Sequence, residues 1–63
     1  MRITLKAARV NKGLTQKGVA DLLGVAKETV GNWESGKTMP KADQIVALCN
    51  LYEVGYDNIK WNI

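Results

Sequence analysis

Residues 16 to 35, QKGVADLLGVAKETVGNWES, space their apolar and small side chains as two short helices joined by a tight turn require. Gly24 stands where the first helix must end, because a residue without a Cβ can adopt the positive φ that closes a helix. Ala20 has a side chain small enough for the second helix to cross the first closely. The apolar positions of the stretch, which we expect to face a common core, are Val19, Leu23, Val25, Val30 and Trp33. This spacing predicts a helix-turn-helix pair.

The charge of the chain is unevenly distributed around this pair. Residues 1–41 contain eight Lys or Arg and three Asp or Glu, whereas residues 42–63 contain one and three, so their net charges are +5 and −2. A basic segment that carries a helix pair suits a surface that meets phosphates, and the second helix of such a pair can lie in the major groove of DNA. Solvated surface lysines would give the same totals, so the helical spacing, and not the charge, favours DNA binding.

Length and composition exclude several classes of protein. The 63 residues predict a single domain, 1–63, and 46% hydrophobic residues are enough for a small core. One cysteine and no histidine exclude an internal disulfide and a cysteine-based zinc site, and they leave no usual general base. The sequence has neither a membrane-length apolar run nor a signal peptide. We therefore expect a cytoplasmic, nucleoid-associated protein that is not an enzyme and that binds no cofactor, metal, membrane or small-molecule substrate.

The apolar periodicity predicts an all-α chain of four to five short helices. Thr15 is the expected N-cap of the second helix, and Pro40 is placed near the start of the fourth. Leu5, Ala8 and Val10 have helical spacing in the first helix. The predicted helical segments are 3–11, 16–23, 26–34 and 42–51, followed by a short turn at 57–59. In the fourth, the shared apolar face comprises Ile45, Leu48, Cys49 and Tyr52.

With these elements in place, the chain resembles the Cro and phage-repressor helix-turn-helix family, also called XRE-like. The resemblance covers roughly residues 4–60 and rests on Leu14-Thr15-Gln16, on Ala20 to Leu23-Gly24-Val25, on Thr29-Val30-x-x-Trp33-Glu34-x-Gly36 and on Pro40 to Leu51-Tyr52. It implies a compact lambda-repressor-like domain that binds double-stranded operator DNA as a homodimer, on half-sites about one helical turn apart. Whether the dimer exists in solution or forms only on DNA is left open.

The resemblance also implies roles for individual residues. It assigns phosphate contacts to Gln16 at the start of the second helix and to Lys37 and Thr38 in the loop after the third. The free N–H groups and the dipole of the second helix also predict a phosphate contact for Lys17. It assigns base contacts to Lys27, Glu28, Thr29 and Asn32, with solvated outer-face residues as the alternative. It makes Arg9 and Glu34 a buried structural ion pair. Trp33 and Cys49 are expected in the core, whereas Trp61 and Ile63 either cover the core or belong to a dimer surface.

Three positions depart from the family pattern. Ala26 stands where Ser or Thr often caps the third helix, which implies a loss of about 1 kcal/mol. Gly18 and Gly31 lie inside helices, where each glycine costs roughly 0.5–1 kcal/mol relative to alanine. These departures predict modest stability, or a third helix that becomes firmer on DNA.

The leading hypothesis is therefore a sequence-specific transcriptional regulator, a small repressor of phage or mobile-element type that occludes promoter sequence. The main alternative is an antitoxin or controller protein that regulates its own synthesis through the same motif while it binds a protein partner. A pure protein-interaction domain is a third possibility. The only feature in its favour is the negative charge of Glu28, which disfavours closeness to DNA phosphates. The operator, the regulated gene, and whether these residues are part of a longer repressor stay open.

Overall fold

Residues 2–61, which a computed structural model describes, form four α-helices, one short 3-10 helix and a pair of two-residue strands. The predicted all-α architecture is confirmed. In these described residues, no helix is long and apolar enough to span a membrane. The elements in chain order are β1 (Ile3–Thr4), α1 (Leu5–Asn11), α2 (Gln16–Leu23), α3 (Lys27–Ser35), α4 (Ala42–Tyr52), the 3-10 helix (Tyr56–Asn58) and β2 (Ile59–Lys60).

The two strands are the part of the fold that the periodicity did not predict. They pair in parallel, with Ile3 opposite Ile59 and Thr4 opposite Lys60. The prediction that the first helix begins at residue 3 is therefore wrong, since α1 begins at Leu5. Thr4 is the N-cap of α1, and its Oγ1 accepts a hydrogen bond from the Ala7 N–H at 3.0 Å. That bond satisfies one of the donors that a first helical turn leaves free.

The helix-turn-helix unit follows the predicted boundaries closely. Thr15 Oγ1 accepts a hydrogen bond from the Gly18 N–H at 2.9 Å, which caps α2 as expected. The helix ends at Gly24, whose φ of 70° lies in the left-handed region. α3 begins at Lys27, one residue later than predicted, and its N-cap Ala26 supplies no side-chain hydrogen bond. α2 and α3 pack closely against each other.

The core lies where the four helices and β2 meet. Trp33 is buried as predicted, and Leu23, Val25 and Cys49 are partly buried against the same cluster. The expectation that Val10 belongs to the apolar face of α1 is wrong, since its side chain is 55% exposed and the neighbouring Arg9 is turned inward instead. The buried residues of this core cluster are Leu5, Ala8, Val19, Ala20, Val30, Trp33, Leu48, Tyr52 and Ile59.

Trp61 packs against the edge of this core. Its ring stacks on that of Tyr56 with centroids 5.4 Å apart, and its Nε1–H donates to the Tyr56 carbonyl at 3.0 Å. Two roles were possible for Trp61: covering the core or forming part of a dimer surface. Its position agrees with the first role, and the second stays a prediction. Ile63, which shared that prediction, lies outside the described residues.

Candidate nucleic-acid interface

A buried ion pair joins α1 to the last turn of α3. Arg9 Nε donates to Glu34 Oε2 at 2.6 Å and Nη2 approaches Oε1 at 3.3 Å. The third guanidinium nitrogen, Nη1, donates to the Leu14 carbonyl at 2.8 Å. The hydrogen bond to Glu34 raises the pKa of Arg9 above its usual value, against the opposing effect of burial. The pair thus fixes the C-terminal end of α3 against α1 and against the segment that leads into α2.

Gln16, the first residue of α2, joins the same carboxylate. Its Nε2 donates to Glu34 Oε1 at 3.0 Å. The carboxamide lies over α3 at Gly31, where a Cβ would come within 3.6 Å of Nε2. Sequence reasoning assigned this side chain to a DNA phosphate and missed its contact within the protein. The one local signal was the glycine at position 31, which leaves room for a neighbouring side chain.

The outer face of α3 carries the four residues predicted to contact bases. Lys27 and Glu28 are exposed in the first turn, whereas Thr29 and Asn32 are partly buried. Asn32 follows Glu28 by four residues, so the two share one face of the helix. Within residues 2–61, neither the Asn32 carboxamide nor the charges of Lys27 and Glu28 have a side-chain partner. The inner face is held by Val30 and Trp33, so this polar face is turned away from the core.

The first turn of α2 begins an exposed ion pair. Lys17 Nζ lies 3.0 Å from Asp21 Oδ2, one helical turn further on, and both side chains are mostly exposed. The free N–H groups and the dipole of a helix N-terminus already favour an anion at this end of α2. A phosphate that approached Lys17 would therefore compete with Asp21 for the ammonium group.

The loop after α3 folds back onto the end of that helix. Gly36, at φ 79°, closes α3 in the left-handed region. The backbone N–H groups of Lys37 and Thr38 then donate to the Asn32 carbonyl at 2.9 and 3.3 Å. Both side chains are exposed. The structure thus places Lys37 and Thr38 at the C-terminal end of α3, and Lys27 and Glu28 at its N-terminal end.

The comparison with protein families agrees with this geometry. A family model described as helix-turn-helix matches residues 5–59, which include all four helices and the first residue of β2. The chain belongs to the helix-turn-helix family, of the XRE type. No solved structure matches the chain.

Curated relatives of this helix-turn-helix chain include several regulators. It is 36% identical over 53 residues to the SPbeta prophage-derived uncharacterized HTH-type transcriptional regulator YonR of Bacillus subtilis, across 84% of this chain and 49% of that protein. It is 31% identical over 55 residues to the HTH-type transcriptional activator BcrR of Enterococcus faecalis, across 87% of this chain and 27% of that protein. The chain spans about half the length, or less, of these curated relatives.

One relative carries a name of a different kind. The Type II methyltransferase M1.ScrFI of Lactococcus lactis subsp. cremoris is 34% identical over 62 residues, across 92% of this chain. The match covers 16% of the methyltransferase. The likeness is therefore confined to a small part of that protein and gives no support to an enzymatic activity of this chain.

Proposed function

We propose that this chain is a sequence-specific DNA-binding module of a transcriptional regulator, with α3 as the helix that enters the major groove. The observation that carries the proposal is the polar outer face of α3, whose side chains have no partner within residues 2–61 while its inner face is fixed in the core. Polar side chains without a partner inside the protein are available to bind base edges in the major groove. The names of the relatives as transcriptional regulators support the same conclusion.

The outer face of α3 offers three kinds of base recognition. The Asn32 carboxamide can pair with N6 and N7 of adenine, and the Lys27 ammonium can donate to O6 or N7 of guanine. The Glu28 carboxylate can accept from N4 of cytosine, and its charge disfavours a position next to phosphate. Thr29 can contact a thymine methyl group. Together these contacts determine which operator sequence the protein binds.

Phosphate contacts would fix the module on the duplex. Lys17 lies on the first turn of α2, and Lys37 and Thr38 lie in the loop that closes α3. Their side chains are exposed, so they can bind the DNA backbone beside the groove that α3 enters. Gln16 has a second N–H on the nitrogen that binds Glu34, and this N–H remains for a phosphate oxygen.

The regulatory mode belongs to the same proposal. A helix-turn-helix module of this kind gains affinity when two copies bind half-sites related by two-fold symmetry, one helical turn apart. We propose that the protein binds such an operator as a dimer and represses by covering promoter sequence. One relative is named as prophage-derived, which supports a phage or mobile-element setting. Another relative is named an activator, so the relatives' names do not all favour repression.

Selection of bound duplexes from a random pool, at moderate salt and with competitor DNA, tests the proposal. We expect enrichment of an inverted repeat with half-site centres about 10 bp apart. The matched control is the Lys27→Ala/Asn32→Ala variant, whose changes leave the core intact and should abolish enrichment. A single enriched half-site would contradict the dimer, and binding without any motif that disappears as salt rises would contradict sequence recognition.

A promoter reporter that carries the selected repeat tests the direction of regulation. Repression predicts lower reporter output when the wild-type protein is expressed, and unchanged output with the Lys27→Ala/Asn32→Ala variant. Higher output with the wild type would contradict repression while it supports operator binding.

A further inference from the structure

One carboxylate receives side chains from two other helices. Glu34 Oε2 accepts from Arg9 of α1 at 2.6 Å, and Oε1 accepts from Gln16 of α2 at 3.0 Å. Glu34 itself lies in the last turn of α3 and is 9% exposed. Three helices therefore meet on one charged group, which has partners on both of its oxygen atoms.

This carboxylate is the point at which polar contacts orient α3. Within residues 2–61, every side-chain hydrogen bond that joins α3 to another helix ends on Glu34. At the opposite end of α3, the N-cap residue Ala26 provides no side-chain hydrogen bond. Apart from the packing of Val30 and Trp33, the direction in which α3 points therefore depends on Arg9 and Gln16.

We propose that Gln16 is a positioning residue for DNA recognition, which acts on the base-facing side chains through Glu34 and not only through a phosphate. Arg9 links α3 to α1, and among residues 2–61 only Gln16 links it by a side-chain hydrogen bond to α2, its partner in the helix-turn-helix pair. The carboxamide lies against the surface of α3 at Gly31, where a Cβ would fit in ordinary contact but a larger side chain would have to displace it. The inference rests on the proposed function, since it concerns how α3 is aimed at DNA.

Positioning and phosphate binding have different consequences for affinity. A phosphate contact is made on every duplex, so its loss weakens binding to operator and to scrambled DNA equally. A change in the direction of α3 displaces Lys27, Glu28 and Asn32 from base edges and leaves flexible lysines free to follow phosphates. Loss of positioning therefore lowers the ratio of operator affinity to scrambled-DNA affinity.

The Gln16→Met variant separates the two roles, because methionine has a similar length and no amide. We expect the operator-to-scrambled affinity ratio to fall about fivefold to tenfold, since hydrogen bonds to charged groups are among the stronger ones. Lys17→Met, on the same helical turn, is the matched control and should weaken both duplexes alike. An equal loss on both duplexes for Gln16→Met, or no loss, would overturn the proposal.

Substitutions at Gly31 test the same contact from the other helix. A Cβ at this position makes only ordinary contacts with Gln16, so Gly31→Ala should keep the affinity ratio. Gly31→Leu should displace the carboxamide and lower the ratio, and the Gln16→Met/Gly31→Leu double variant should lose no more than the larger single loss. Additive losses would overturn the proposal.

A measurement without DNA keeps this inference distinct from the proposed function. In ¹H–¹⁵N spectra of the free protein, we expect one side-chain amide proton of Gln16 to be shifted and protected from exchange. A Gln16 amide that exchanges like a solvated one would overturn the positioning role. Wild-type protein with the protected amide but without preference between duplexes would instead overturn the proposed function, and the role of Gln16 in DNA recognition with it.

Discussion

Arg9 and Glu34, 25 residues apart in the chain, form a two-point contact in which both side chains are almost completely buried. Because the guanidinium also binds the Leu14 carbonyl and the carboxylate also binds Gln16, neither charge is left without hydrogen-bond partners. A buried pair of this kind adds little net stability over an apolar replacement, but it fixes geometry when all its partners are present. Here the geometry that it fixes is the placement of the proposed recognition helix.

Removal of one partner should be strongly destabilising. Glu34→Leu leaves the Arg9 guanidinium buried without its carboxylate, and we expect the free energy of unfolding to fall by about 3–5 kcal/mol. Urea denaturation followed by tryptophan fluorescence measures the change. The Arg9→Met/Glu34→Leu double variant should lose clearly less than the sum of the single variants, and strict additivity would contradict a coupled pair. Glu53→Gln, at the exposed ion pair with Lys12, is the control and should hardly move the midpoint.

Asn32 and Lys17 should affect DNA binding in different ways. Asn32→Ala removes a carboxamide that we propose contacts a base, and we expect a loss of about 1–3 kcal/mol that is confined to one operator position. Lys17→Ala removes a charge that we propose contacts a phosphate, so binding to all sequences should weaken and the salt dependence should become less steep. Titrations of operator, single-base variants and scrambled DNA at several salt concentrations separate the two patterns. Equal losses on operator and scrambled DNA for Asn32→Ala would contradict a role in base recognition.

Asp21 should reduce the affinity of the module for DNA in general. Its carboxylate holds the Lys17 ammonium at 3.0 Å and places a negative charge near the proposed phosphate contact. Asp21→Asn should therefore raise affinity for operator and scrambled DNA alike, by about two- to threefold at low salt and less at high salt, as expected for exposed charges. The Lys17→Met background is the control, since a smaller gain there would show that Asp21 acts partly through Lys17. An unchanged affinity for Asp21→Asn would contradict the competition.

A substitution at Ala26 should supply the side-chain N-cap that α3 lacks and so stabilise the protein. Ala26 already has the extended N-cap conformation, with φ −74° and ψ 151°. A serine there can accept a hydrogen bond from the first turn, so Ala26→Ser should raise the free energy of unfolding by about 1 kcal/mol. Thermal denaturation measures the gain, and Thr15→Ala, which removes the cap present on α2, should produce a loss of similar size. A destabilised Ala26→Ser variant would mean that another contact of Ala26 outweighs the cap.

Tyr52 should make stability fall at high pH. Burial, followed by the charge of Glu34, raises the pKa of Tyr52 to about 12, from the ordinary value of 10.0. The unfolded chain therefore loses the phenol proton first, and stability should decline between about pH 10 and 12, by up to roughly 2–3 kcal/mol. Tyr52→Phe should remove this part of the decline. Parallel pH profiles for the wild type and Tyr52→Phe would contradict an ionisation that is suppressed by folding.

The parts of the fold that the sequence predicts are those with local causes. Thr15 caps the turn that follows it, and Gly24 adopts the positive φ that ends α2, so both act through neighbours in the chain. The inward direction of Val30 and Trp33 follows from helical periodicity and leaves Lys27 and Glu28 outside. The Lys17–Asp21 pair also has a local cause, because its i,i+4 spacing could have been recognised in advance.

The parts that could not be predicted depend on the crossing of distant elements. Two-residue strands have no alternating pattern, so nothing at Ile3 or Ile59 indicates that they pair. The Gln16–Glu34 contact likewise depends on the angle between α2 and α3, which no local spacing determines. Val10 is different, because local spacing explains its exposure: it follows Leu5 by five residues, roughly 140° around the helix, whereas Arg9 follows by four and shares the buried face of Leu5.

The β1–β2 pair has a consequence for the order in which the molecule assembles. α2 and α3, which are neighbours along the chain, make the most extensive contact between helices, and such a contact forms quickly because only a short loop must close. Ile3 and Ile59, in contrast, can meet only after nearly the whole described chain has been drawn together, at a larger entropic cost. Their pairing should therefore be among the last contacts to form and the first to open. Amide exchange at these strands would then report early, partial unfolding while the helix-turn-helix unit remains closed.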